Sequence, residues 1–165
     1  MAISSVLTNT FKTELLKGLH SFDTAGATPA GNAFKIALYS SGSANLTTTT
    51  TAYAAPADAT ADPTSTYEVT TTSSGYTGGG NALTNTGVGT TTVTSFTDFS
   101  DTSWTSASFT ARGCLIYNTT AITGLTASRA VCSIDFGGDK TVSSGTFTVQ
   151  FPTNDSSSAI IRLTS

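Results

Sequence analysis

Two stretches, Ala111-Arg112-Gly113-Cys114-Leu115-Ile116-Tyr117-Asn118 and Arg129-Ala130-Val131-Cys132-Ser133-Ile134-Asp135-Phe136, decide how this chain folds. In Cys114-Leu115-Ile116-Tyr117 both alternating faces are apolar, the pattern of a strand covered on both sides. In the second stretch Ala130, Cys132, Ile134 and Phe136 share one face at the two-residue period of a strand. Joined through residues 119–128 as a hairpin in symmetric register, the pair sets Asn118 opposite Ser128 and Cys114 opposite Cys132. Directly opposed cysteines on adjacent strands seldom reach disulfide geometry without strain, so two free thiols acting as small hydrophobes are expected.

Outward from this centre the same reading repeats. Phe34, Ile36 and Leu38 alternate in Ala33 to Tyr39, and further strands are expected at Tyr67 to Thr72, around Leu83, and at Thr90 to Phe99, Trp104 to Ala111, Gly113 to Asn118, Arg129 to Phe136, Gly145 to Phe151 and Ala159 to Leu163. Short strands separated by Gly, Asn, Asp and Ser predict an all-β fold, an antiparallel β-sandwich or barrel-like domain, with no βαβ alternation to compete. The chain of 165 residues is sized for one such domain, 1–165.

Helical periodicity occurs once, over Thr8 to Leu19, where Leu7, Phe11, Leu15 and Leu19 recur every fourth residue and Gly18 supplies a stop. Such a short N-terminal α-helix either packs on its own sheet or swings out to grip a neighbour, and the first arrangement is favoured. Residues 40–65 are nearly all Ser, Thr, Ala, Pro and Asp without periodicity, which predicts an exposed, irregular excursion. It either contacts a partner or is a solvated insertion.

Composition narrows the function classes. Charged residues are 10% of the chain against about 25% in ordinary globular proteins, and threonine and serine stand in their place. Threonine is β-branched and suits a half-solvated pleated surface. A net charge of -3 is the wrong sign for tracking a phosphate backbone, so no nucleic-acid partner is expected. No apolar run is long enough to span a membrane as a helix, and the N-terminus lacks the pattern of a secretory signal.

For every reactive residue type in the chain a structural role accounts for its place, and no enzyme, cofactor or metal is expected. His20, the chain's one histidine, falls at the helix end, where it can meet the terminal carbonyls. No histidine or cysteine pair has zinc-ligand spacing. Glu68, Asp98, Asp101, Asp135 and Asp139 are the carboxylates from which a glycosidase-type acid pair would be drawn, but all except Asp135 fall at turns or strand ends, where carboxylates cap backbone. Gly75-Tyr76-Thr77-Gly78-Gly79-Gly80 lacks the Lys-Ser or Lys-Thr and the following helix of a phosphate-cradling loop, so it reads as a turn. Asp135-Phe136-Gly137 copies a kinase tripeptide in a chain too short for the rest of that machinery. Trp104, Phe109, Tyr117 and Phe147 make either a sugar-stacking platform or core, and aromatics on strands are much more often core.

Asn9-Thr10-Phe11-Lys12-Thr13-Glu14-Leu15-Leu16-Lys17-Gly18-Leu19-His20-Ser21-Phe22 and then Phe34-Lys35-Ile36-Ala37-Leu38-Tyr39 open a series of blocks. Gly75-Tyr76-Thr77-Gly78-Gly79, Phe99-Ser100-Asp101-Thr102-Ser103-Trp104, Ala111 to Asn118 and Ile134-Asp135-Phe136-Gly137 continue it. In this order the blocks resemble a family of small tailed-bacteriophage virion proteins across nearly the whole chain. The chain departs from that pattern in its 47–63 insertion and at Cys114, where a small apolar residue is expected. The resemblance implies a structural role in the virion, with head, neck and tail all open.

Two functions follow as expectations. The first is a capsid decoration or cement protein, assembled in the host cytoplasm, that stabilises the head by non-covalent contacts with the major capsid protein or other virion subunits and forms a homo-oligomer, a trimer among the forms considered. Phe11, Leu15 and Leu19 are its expected assembly contacts. The alternative is a tail or neck accessory or fibre module binding a host-surface glycan or protein, with Tyr53, Tyr67 and Tyr76 as exposed-loop contacts.

Overall fold

The strand-forming periodicity described above is realised as two antiparallel sheets and one short helix. The structure is a computed structural model that describes residues 3–24, 31–40, 46–53, 67–69, 75–122, 125 and 127–165. Its elements are β1 (Val6–Leu7), α1 (Asn9–Leu16), β2 (Phe34–Tyr39), β3 (Asn81–Leu83), β4 (Asn85–Thr90), β5 (Thr94–Phe99), β6 (Thr102–Asn118), β7 (Arg129–Val149) and β8 (Ile161–Thr164). One sheet is five-stranded in the order β1-β7-β6-β2-β3, and the other is three-stranded in the order β4-β5-β8. The fold is all-β and sandwich-like with an N-terminal helix, as the sequence predicts.

At its centre the larger sheet is buried on both faces, as the doubly apolar Cys114 to Tyr117 requires. On one face Phe34, Ile36, Leu38, Cys114, Ile116 and Cys132 join Phe11, Phe22, Phe99 and Ile161, side chains brought by α1, its following loop and the smaller sheet. On the other face Ala37, Tyr39, Leu115, Tyr117 and Ala130 are covered by Ile3 and Leu46. The cover on this second face is irregular chain, not a sheet.

Part of the expected excursion is that cover. Residues 46–53 are tied down by Ser4 N–H to Leu46 O at 2.9 Å, Asn9 N–H to Thr48 O at 2.8 Å, Tyr53 N–H to Ser128 O at 2.8 Å and Ala130 N–H to Thr51 O at 3.1 Å, and Leu46 is fully buried. The exposed 40–65 excursion is therefore corrected over 46–53; 41–45 and 54–66 lie outside the described residues. A single Leu amid threonines gives little periodic signal, yet Leu46 is buried in the same cluster as Ile3, Leu115 and Tyr117. The strand expected at 67–72 is a single bridge, Tyr39 with Glu68, and 70–72 lie outside the described residues.

The four strands expected between Trp104 and Phe151 are two long ones. β6 runs unbroken over 17 residues and β7 over 21, because glycines and serines placed at bulges bend a strand without ending it. The expected strand at Thr90 to Phe99 is in turn divided between β4 and β5, a hairpin that turns at 91–93. Across the central pair Asn118 faces Arg129, Ile116 faces Cys132 and Cys114 faces Ile134, with a slip between Ile116 and Tyr117. The symmetric register is corrected by this slip. Cys114 and Cys132 are both free and buried, on one face but not opposite each other.

Farther from the loop the β6–β7 ribbon turns a corner. Register shifts flank Ala107, and Ser106 and Ser144 take positive φ of 51 and 49, so both strands carry a bulge at one level. The extra residue explains why Trp104 and Phe109, an odd number apart, both point inward. Curling also brings the rings of Phe136 and Phe147, eleven positions apart in β7, to 6.3 Å, where a straight strand would separate them by about 35 Å. Trp104 and Phe109 are buried here and Phe147 is half-buried, with Trp104 and Phe147 at 6.1 Å and Phe109 and Phe147 at 5.1 Å, an aromatic core rather than a platform.

The helix is shorter than its periodicity suggests. Thr8 caps it, its Oγ1 accepting from Phe11 N–H at 3.1 Å and donating to Ala130 O at 2.9 Å. Lys17 ends it and Gly18 follows in the left-handed conformation, φ 69. Leu7 thus lies in β1 and Leu19 beyond the helix, so the four-residue stripe never forms one helical face. The buried helix residues are Phe11 and Glu14.

Candidate functional site

Two of the three buried carboxylates among the described residues, Glu68 and Glu14, organise the polar interior. Glu68 stands beside the end of β2, held there by its bridge to Tyr39 and by Val69 N–H to Leu38 O at 2.8 Å. Its Oε1 accepts from Tyr76 OH at 2.7 Å and Gly79 N–H at 2.6 Å, and its Oε2 from Tyr53 OH at 2.9 Å. Tyr117 OH donates to Gly79 O at 2.7 Å, and the Tyr53 and Tyr117 rings stack at 4.4 Å. Burial, reinforced by the negative charge of Glu68, pushes all three phenols above their ordinary value. They remain protonated donors.

The glycine-rich turn builds this centre by close approach. A Cβ on Gly75, at φ +79, would lie 2.7 Å from Thr105 O and 2.9 Å from Ala107 Cα, at the ribbon corner. A Cβ on Gly80, at φ +67, would overlap the Ile36 carbonyl on β2. The turn is therefore wedged between β2 and the ribbon, which points Tyr76 inward and the Gly79 N–H at Glu68. Tyr76 is 5% exposed, so its expected place on an exposed loop is corrected. Tyr53 and Tyr67 are half-buried and packed against the second cluster, Tyr53 with its hydroxyl already engaged. The turn chemistry was legible; the carboxylate it points at was not, because Glu68 sits in a polar run with no periodicity to show that it turns inward.

Glu14 is the second buried carboxylate. Its Oε1 accepts from Arg129 through Nε at 2.7 Å and Nη2 at 2.6 Å, and its Oε2 from His20 Nε2 at 2.9 Å. The other ring nitrogen of His20, Nδ1, lies 2.9 Å from the Asn118 amide nitrogen. That nitrogen only donates, so Nδ1 accepts and the ring proton sits on Nε2. The Asn118 amide is oriented by Thr120 N–H to its Oδ1 at 2.9 Å and by its own donation to Asn32 Oδ1 at 2.9 Å. Burial holds the imidazole below its ordinary value, against the Glu14 bond and charge, which raise it, while Arg129 adds to the lowering. The expected meeting of His20 with helix-terminal carbonyls is corrected: both ring nitrogens bond side chains. Sequence reasoning passed over Glu14 because one acid on a helix is usually solvated.

No family model, curated protein or solved structure matches the chain. Its chemistry is therefore read from geometry alone. Among the described residues no three His, Cys, Asp or Glu side chains gather to hold a metal ion. No described helix is long and apolar enough to cross a membrane. Asp98 is fully buried and accepts from Phe99 N–H at 2.8 Å and Ile160 N–H at 3.0 Å, which ties β5 to the chain before β8. Asp135 and Asp139 both face Arg112, at 3.2 and 3.8 Å. Burial pushes the Cys132 thiol up to about 12 and Cys114 well above its ordinary value, so neither is a ready nucleophile.

The three helix-region residues expected to contact an assembly have different fates. Phe11 is fully buried among Phe22 and His20, so its side chain has no surface for a neighbour and that expectation is corrected. Leu15 is half-buried against the main core, where with Phe22, Val88, Phe96, Ile161 and Leu163 it lines a cleft of about 100 Å³. Leu19 is half-buried beside Leu125 and Arg129. Among the described residues the large apolar side chains that stand in solvent are Leu16, 91% exposed, with Val88, Val93 and Leu163.

Proposed function

We propose that this chain is a bacteriophage virion structural protein, a capsid decoration or cement module that stabilises the head by non-covalent contacts with major capsid subunits. The observation that carries the reading is a division of labour in the side chains. Among the described residues the buried carboxylates and the histidine, Glu14, Glu68, Asp98 and His20, are each engaged by partners from the fold itself. Leu16, Val88, Val93 and Leu163 are left exposed on a chain with only 10% charged residues, a surface suited to burial against neighbours. The ordered sequence blocks that resemble tailed-phage virion proteins support the same reading.

The tail or fibre alternative loses much of its candidate surface, because Tyr76 is buried and Tyr53 is bonded to Glu68. Cryo-electron microscopy of the particle tests the proposal. Density for this fold on the head lattice is the expected result, and density only along the tail would remove the decoration role.

A further inference from the structure

We propose that His20 is the proton-sensitive pin of a latch that holds α1 and the residues directly after it, 17–22, on the β6–β7 hairpin, and that a proton on its Nδ1 opens the latch. The geometry gives that proton no acceptor. Nδ1 faces the Asn118 amide N–H at 2.9 Å, and the His20 side chain has no exposure to solvent that would hydrate a new N–H. Turning the Asn118 amide over would offer Oδ1 to the imidazolium. It would also set donor against donor at Thr120 N–H and acceptor against acceptor at Asn32 Oδ1, which Ser21 N–H already engages at 2.9 Å.

The charged groups facing His20 are Glu14 from α1 and Arg129 from β7; Asn118 from β6 and Asn32 ahead of β2 are neutral, and the Phe11 ring packs edge-on at 5.0 Å. Glu14 attracts the imidazolium, but the Arg129 guanidinium already engages the same carboxylate and repels it. Once His20 withdraws, the Ser21 and Asn32 bonds that continue from it lose their anchor on Asn118. Phe11 and Phe22, now buried, are the apolar side chains that opening would uncover.

The sign follows from the two states. The closed latch excludes the proton and the open latch binds it with the ordinary imidazole value of 6.5. Closure is therefore fully favoured above 6.5 and weakens as pH falls toward the lowered value of the closed form. Over that window one proton is taken up on opening, so the opening equilibrium rises about tenfold per pH unit lowered. With a single histidine in the chain, no second imidazole blurs the effect.

Hydrogen exchange followed by NMR from pH 7 to pH 5, corrected for intrinsic exchange rates, tests the latch alongside titration of the His20 ring. Expected is a selective loss of protection at the amides of 9–22 with that slope, while 114–117 hold. His20→Gln, which has no ring to titrate, should remove the slope. Asn118→Asp, which offers Nδ1–H a carboxylate, should move opening to lower pH. The inference is overturned if wild-type His20 titrates at or above its ordinary value with 9–22 unchanged, or if His20→Gln keeps the slope. The wild-type measurement decides even if a variant fails to fold.

Discussion

Glu14 and Glu68 are both buried carboxylates that each gather donors from more than one segment, yet they are held in different ways. Around Glu68 the donors are neutral: Tyr53, Tyr76 and the Gly79 amide. Around Glu14 they are a guanidinium and an imidazole. A carboxylate held by phenols raised above their ordinary value has no partner that titrates near neutrality. One held partly by an imidazole does. Both centres join segments, but only the one at Glu14 includes a partner that titrates near neutrality.

The comparison breaks most readily at Glu14. Glu14→Ala strands a largely buried guanidinium, and an expected loss of about 3–5 kcal/mol should appear as a lower urea midpoint. A loss below that of Glu68→Gln would mean that the charged centre is the less important of the two. Glu68→Gln keeps the size but turns an amide N–H toward a phenol or the Gly79 N–H, for an expected loss of about 1–3 kcal/mol. Its chevron or melt should show the same dependence on pH between 5 and 7 as wild type. Wild-type stability itself should fall with acid by at most about 1.4 kcal/mol per pH unit below the ordinary imidazole value, and His20→Gln should flatten that line. A slope that survives His20→Gln but vanishes in Glu68→Gln would reverse the assignment.

Two smaller effects sharpen the boundary between fold and surface. Leu15 is only half-buried, so Leu15→Ala should cost about 1–2 kcal/mol, less than truncation of a closed core site. Leu16→Ser, at the most exposed apolar side chain, should change the isolated subunit by no more than about 0.5 kcal/mol while lowering occupancy on the particle. A large loss of subunit stability in Leu16→Ser would mean that the side chain is covered in solution.

Strand content and the doubly covered centre were legible because alternation at Phe34 to Leu38 and continuous apolarity at Cys114 to Tyr117 are local patterns with one structural solution. The helix was legible in place but not in extent. A repeat every four residues counts Leu7, which lies in β1, and Leu19, which lies past the Gly18 stop that the sequence itself marks. Bulges escaped notice because Ser106 and Ser144 carry no glycine-like signal, so a curled pair of long strands reads as several short ones.

By itself the sequence determined the class of fold, the scarcity of charge and the candidate turns, all properties of residues within a few positions of each other. Tertiary structure alone decided which acid meets which donor. Glu14 with Arg129, and His20 with Asn118, are contacts between residues about a hundred positions apart. Their meeting depends on the slip at Ile116 and Tyr117, which makes Arg129 the partner of Asn118, and a one-residue change of register inverts every side chain on a strand.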